Sequence, residues 1–123
     1  MRRLRDVPDL VFAVLLVAWA VVLTRATLTP VLVPTPALFP HADKLMHGIG
    51  WFVLGALAGC LSPPGLARLL AFVLATTFGF FIEVGQIFVP TRHFEALDLL
   101  ADAVGSALGV ALARLRDGDD SRP

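Results

Sequence analysis

Charge is scarce in this sequence, cysteine is nearly absent, and neither sign of charge prevails. Only 16% of the 123 residues are Asp, Glu, Lys or Arg, against about a quarter in soluble domains. Ten Lys and Arg offset ten Asp and Glu, so no basic excess points to nucleic acid. A single cysteine, Cys60, excludes a disulfide scaffold; it reads as a small buried apolar residue. Neither H-E-x-x-H nor paired cysteines occur to announce a metal site. What is present is apolar: 57% of residues are hydrophobic and the mean hydropathy is +0.80. That excludes disorder and predicts one domain, residues 1–123, that lives in a bilayer.

A bilayer core about 30 Å thick takes about 20 helical residues. Uncharged or weakly charged runs predict helices over about residues 8–28, 44–61, 68–89 and 95–116. Asp6-Val7-Pro8 reads as a helix start, with an acid at the N-cap and proline in the first turn. Pro30, Ser62-Pro63-Pro64-Gly65, Pro90 and Asp117-Gly118 are the stops. The first run also resembles a signal peptide, with Arg2, Arg3 and Arg5 ahead of it and Ala18-Trp19-Ala20 as a cleavage-like triplet. Val21, Val22 and Leu23 continue past that triplet to full spanning length, so the run is read as a retained span. With the N-terminus inside, seven cations (Arg2, Arg3, Arg5, Arg68, Arg114, Arg116, Arg122) fall on the inner side and three (Arg25, Lys44, Arg92) on the outer side. The predicted fold is therefore an all-α membrane protein, a compact four-transmembrane-helix bundle in the inner membrane with both termini cytoplasmic. The charged end from Asp117 to Pro123 reads as a solvated tail.

Two G-x-x-x-G segments, Gly55 to Gly59 and Gly105 to Gly109, predict close helix packing within the bundle. The titratable residues gather at one level, the outer ends of the helices. Asp43, Lys44 and His47 open the second helix, Glu83 and Gln86 close the third, and Arg92 follows in the loop. Asp98 and Asp102 open the fourth, in line with Gly105 and Gly109, so these carboxylates face the bundle interior. Arg25 ends the first helix at the same level. A charge at mid-bilayer costs about 3 kcal/mol, so Glu83, Asp98 and Asp102 need partners, and Lys44, Arg92 and His47 are the ones on hand.

At this constellation the chain resembles the VanZ family of small integral membrane proteins. Asp43-Lys44-Leu45-Met46-His47 matches the family's D-K-x-x-H, and Glu83 to Gln86 with Phe88, Pro90 and Arg92 matches its E-x-x-Q, aromatic, proline and arginine. Asp98, Asp102, Gly105 and Gly109 match D-x-x-x-N/D-x-x-G and the trailing glycine, and Thr27-Leu28-Thr29-Pro30 is similar to the family's T-L-S-P. Thr91 stands where glycine often precedes the arginine, and Asp102 where asparagine is more usual. The founding member of the family is associated with low-level resistance to the glycopeptide teicoplanin, while most relatives have no assigned activity. The resemblance thus implies a cell-envelope protein.

The candidate ligand-binding cluster is Asp43, Lys44, His47, Glu83, Gln86, Arg92, Asp98 and Asp102. Its first reading is an outward-facing site for an amphiphile, either a glycopeptide antibiotic or a lipid-linked phosphate, held by Lys44, Arg92 and His47. Its alternative is an intramembrane enzyme acting on a lipid headgroup or lipid-linked phosphate. His47 would then be a general acid/base oriented by Asp43 or Glu83, with no obvious nucleophile. No cofactor is expected and no metal, since Lys44 and Arg92 oppose a cation. His41 and His93 read as exposed loop residues. The sequence leaves the oligomeric state, the ligand and any catalysis open.

Overall fold

The structure, a computed structural model, describes residues 4–32 and 38–118. Arg2, Arg3 and Arg122 of the orientation count lie outside the described residues, as does the tail beyond Gly118. Among the described residues all regular structure is helical. A 3-10 turn at Leu4–Asp6 precedes α1 (Asp9–Leu28), α2 (Ala42–Cys60), α3 (Leu66–Gln86), α4 (Ala96–Leu112) and a short α5 (Arg114–Asp117).

The helix ends follow local chemistry. Pro8 stands at the N-cap of α1 and Asp9 in its first turn, so the acid favoured near the positive end of the helix dipole is Asp9. Asp6, expected as the cap, instead belongs to the preceding 3-10 turn. Ser62, Pro63 and Pro64 separate α2 from α3, with Gly65 at φ 93° ahead of α3. The third helix stops at Gln86 rather than at 89, because the chain turns tightly through Val89 N–H to Gln86 O and Arg92 N–H to Val89 O.

Three helical stretches, Asp9–Leu28, Leu66–Gln86 and Ala96–Asp117, are long and apolar enough to cross a membrane. The expected fourth, α2, is not among them. Asp43, Lys44 and His47 fall within it and lower its apolarity. It is also the inner helix: α2 packs on α1, α3 and, most extensively, α4. By contrast α1 is apolar all round and leaves Leu10, Val14, Val17, Val21 and Val22 exposed, with only Phe12, Leu23 and Thr27 buried. A face of that kind fits lipid, not water.

Close approach of α2 and α4 depends on glycine. A Cβ at Gly105 would overlap the backbone of Gly48 and Phe52, and one at Gly109 the backbone of Phe52 and Ala56. From the other side, a Cβ at Gly55 would come within 2.5 Å of the Ser106 carbonyl oxygen, and one at Gly59 within 2.8 Å of the Ala113 side chain. Both G-x-x-x-G segments therefore face one another inside a single chain. Beside this seam, Leu23, Trp51, Leu54, Ala75 and Ile82 form the apolar core, with Leu16, Trp19, Leu28 and Phe78 packed round it. The tryptophan N–H groups add cross-links: Trp19 Nε1 donates to Gly50 O at 2.8 Å and Trp51 Nε1 to Ala75 O at 3.0 Å.

The two ends of the bundle are tied differently. At one end Arg116 donates to Asp9 Oδ1 (2.6 Å), to Val7 O (2.8 Å) and to Cys60 O, with its guanidinium over the Phe12 ring. Arg68 grips both oxygens of Asp117 at 2.6 Å beside it. The other end holds the charged cluster.

Candidate functional site

His47 stands one turn into α2 and is mostly buried. Its ring stacks on that of Trp51, the next residue on the same helix face, at 5.6 Å between centroids and 10° between planes. Trp51 is itself fully buried and anchored on Ala75, so the imidazole has a fixed floor. His47 Nδ1 lies 2.9 Å from Asp102 Oδ1 and 3.9 Å from Glu83 Oε1. On the opposite edge of the ring, Nε2 lies 3.7 Å from Asp98 Oδ2. Three acids from two other helices thus surround one imidazole.

Glu83 and Asp102 are 0% exposed. Glu83 Oε2 accepts the backbone N–H of Glu95 at 3.0 Å. Glu95 is the residue before α4, so this carboxylate sits at the positive end of that helix. Its other oxygen, Oε1, makes no hydrogen bond, and neither does Asp102 Oδ2. Gly79 leaves the room: a Cβ there would come within 2.7 Å of Asp102 Oδ2 and 2.9 Å of Trp51 Nε1.

Lys44 neutralises a second group. Its ammonium meets Asp98 Oδ1 at 2.8 Å and also pairs with Asp43 and Glu95. With three carboxylates on one ammonium, the charge of Lys44 is fully engaged. The contact holds the Glu95 carboxyl below the usual carboxylate range, chiefly through the hydrogen bond from Lys44. His93, exposed as expected, adds a contact at 2.8 Å to the other oxygen of Glu95.

Two members of the expected cluster bond to the end of α1 and not to the carboxylates. Gln86 is buried and donates to Thr27 O at 3.0 Å. Arg92 donates through Nε to Thr29 O and through Nη2 to Ala26 O, both at 3.1 Å. The last carbonyls of a helix have no partner within it, and these two side chains supply one to the end of α1. Arg92 therefore does not clamp Glu83 or Asp98, and no carboxylate among the described residues pairs with it. Arg25 is exposed on the outside of α1 and is not joined to the cluster. Nor is His47 oriented by Asp43; the acid in contact is Asp102.

A groove of about 390 Å³ runs beside the cluster between α1 and α2. Its walls are apolar, among them Trp19, Val22, Met46 and Ile49, and Asp43, His47 and Arg92 line its polar part. The Nη1 group of Arg92 has no hydrogen-bond partner among the described residues.

Glu95 and Trp51 are the participants that sequence reasoning missed. Glu95 had a signal, an acid opening α4 at the same level as Asp98. Trp51 had one too, four residues after His47 and so on its helix face.

A family model described as VanZ/LLP1 matches residues 7–117, nearly the whole chain. No curated protein and no solved structure matches.

Proposed function

The chain belongs to the VanZ/LLP1 family, and from that premise we propose that it is a four-span inner-membrane protein of the cell envelope that binds an amphiphile at its outer end. The apolar part of the ligand lies in the groove between α1 and α2, and its phosphate or carboxylate head meets the free Nη1 of Arg92 beside His47. The observation that carries this reading is the groove itself, apolar along its walls and ending at Arg92, His47 and Asp43. Arginine suits an anionic head because its guanidinium stays charged, and the Nη1 left over from the bonds to Thr29 O and Ala26 O still has N–H groups to donate. Lys44 takes no part in holding the ligand, since its ammonium is spent on Asp43, Glu95 and Asp98.

Counting α2 as a span rests on its 19 residues, about 28 Å of helix, packed between helices that are apolar enough on their own. Cytoplasmic termini are supported by the grouping of ends. Arg68 and Arg116 meet Asp117 and Asp9 at one end, which collects the cations that mark an inner face. Antibiotic resistance of the teicoplanin type follows if the amphiphile is the drug or the envelope lipid it targets.

The test is native mass spectrometry of the protein purified with its bound lipids. Wild type retains a phosphate-bearing lipid; Ile49→Trp, which fills the groove, and Arg92→Lys, which removes the free Nη1, lose it. Equal retention by all three sinks the proposal. Expression in a sensitive host, followed by teicoplanin susceptibility, separates the drug from the lipid.

One contact favours a second reading, an enzyme acting on a lipid headgroup. The 2.9 Å pairing of His47 Nδ1 with Asp102 is the geometry by which a carboxylate orients an imidazole so that Nε2 serves as a base. Incubation with labelled envelope lipids decides it, and no turnover across lipid classes removes it.

A further inference from the structure

We propose that His47, Glu83 and Asp102 bind a divalent transition-metal cation of the Zn²⁺ or Mn²⁺ type. One ligand atom from each of the three lies within 4.8 Å of the others. His47 Nδ1 is 2.9 Å from Asp102 Oδ1 and 3.9 Å from Glu83 Oε1. Ligands bound at about 2.0–2.2 Å round a tetrahedral ion are roughly 3.3–3.6 Å apart, a range these two separations bracket.

Acidic clusters are common without an ion, but this one has an unsatisfied acceptor. Glu83 is 0% exposed and its Oε1 faces the His47–Asp102 pair with no hydrogen-bond donor. Buried acceptors of that kind are costly unless something meets them. The charge count points the same way. Glu83 and Asp102 are both fully buried, and His47 is the one basic side chain in contact with either among the described residues. A divalent cation neutralises the pair of carboxylates outright. Lys44 does not oppose it, being held by Asp43, Glu95 and Asp98, and Arg92 faces the end of α1.

The surroundings match what a metal-bound imidazole needs. With Nδ1 on the ion, Nε2 faces the Asp98 carboxylate across 3.7 Å, and Lys44 holds Asp98 from behind at 2.8 Å. Trp51 sets the ring plane by stacking. A ligand set of one nitrogen and two carboxylates suits Zn²⁺ or Mn²⁺ and leaves coordination positions open. The site stands whether or not the groove beside it holds an amphiphile.

The experiment uses full-length protein in detergent, stripped with chelator and titrated separately with Zn²⁺ and Mn²⁺, with bound metal counted by elemental analysis. One ion per chain is expected. Asp98→Asn, outside the ligand shell, removes a negative charge beside the site and weakens binding. Glu83→Gln and His47→Asn weaken it more. Binding of neither ion by wild type overturns the proposal, as does binding unchanged in both ligand variants. X-ray absorption on zinc-loaded wild type needs no variant. One imidazole nitrogen with carboxylate oxygens supports the site; a sulfur neighbour from Cys60 or a shell without nitrogen overturns it.

Discussion

His47 Nδ1 lies 2.9 Å from Asp102 Oδ1, a contact that joins α2 to α4 over 55 residues of sequence. It is the point where the close-packed seam of the bundle turns into its polar layer. Asp102 and Gly105 are on one stripe of α4, the first meeting His47 and the second the backbone of Gly48. The glycines thus set the separation at which the acid and the imidazole meet.

Asp102→Leu is expected to leave the buried Nδ1 without an acceptor, at a cost of about 1–3 kcal/mol. Asp102→Asn keeps an acceptor oxygen and costs less. Denaturation midpoints in one detergent compare the two, and equal losses would show that the pairing contributes nothing.

Gly109→Ala drives a Cβ into the Phe52 carbonyl of α2, where backbone cannot step aside. Overpacking of this kind costs about 1–3 kcal/mol. A thermal melt of Gly109→Ala beside the exposed change Leu108→Ala reads the difference, with Gly109→Ala the less stable.

Thr91 adopts φ 68°, in the left-handed region, while its hydroxyl accepts the Val31 N–H at 2.8 Å. A β-branched residue there is strained, which gives a physical reason for the glycine common at this position in the family. Thr91→Gly and Thr91→Ala both lose the hydrogen bond, and only glycine relieves the backbone. The glycine variant is expected to be the more stable of the two by about 1–2 kcal/mol, measured by chemical denaturation.

Glu95 carries a pH dependence. Its carboxyl is held below the ordinary value by Lys44, so its contribution is complete above the unfolded value of about 4.3. The contribution is lost as pH falls through the lower folded value. Wild type is therefore expected to be more stable than Glu95→Gln at neutral pH, with the gap closing in acid. A gap that widens in acid would refute the assignment.

The proposed topology has its own test. In a Cys60→Ala background, a membrane-impermeant maleimide applied to intact cells is expected to label His93→Cys and to spare Ser62→Cys. The reverse pattern would invert the protein in the membrane.

Much of this was legible in the residues. Runs such as Leu10 to Thr24 mark helices because lipid tolerates no charge, and their stops carry proline or glycine. The collinearity of Asp98, Asp102, Gly105 and Gly109 forecast which face of α4 turns inward, since helical spacing alone fixes it. Pairing was not legible. Arg92 looked like a partner for acids because charge seeks charge, yet it meets the carbonyls ending α1. Spacing does not say which unsatisfied group lies nearest once the loop folds back. Lys44 likewise hid its load: that Asp43, Glu95 and Asp98 all converge on it depends on how α4 is docked.

Arg116 reaches back to Val7 and Asp9, up to 109 residues earlier in the chain. During synthesis α1 is made before the helices it packs against, and only its Phe12, Leu23 and Thr27 are buried in the finished bundle. Its start cannot be fastened until Arg116, 107 residues after Asp9, has been made. The order of translation thus makes Arg116 the closing clasp of assembly, and a chain truncated before it would keep its polar layer while the start of its first helix stayed unlatched.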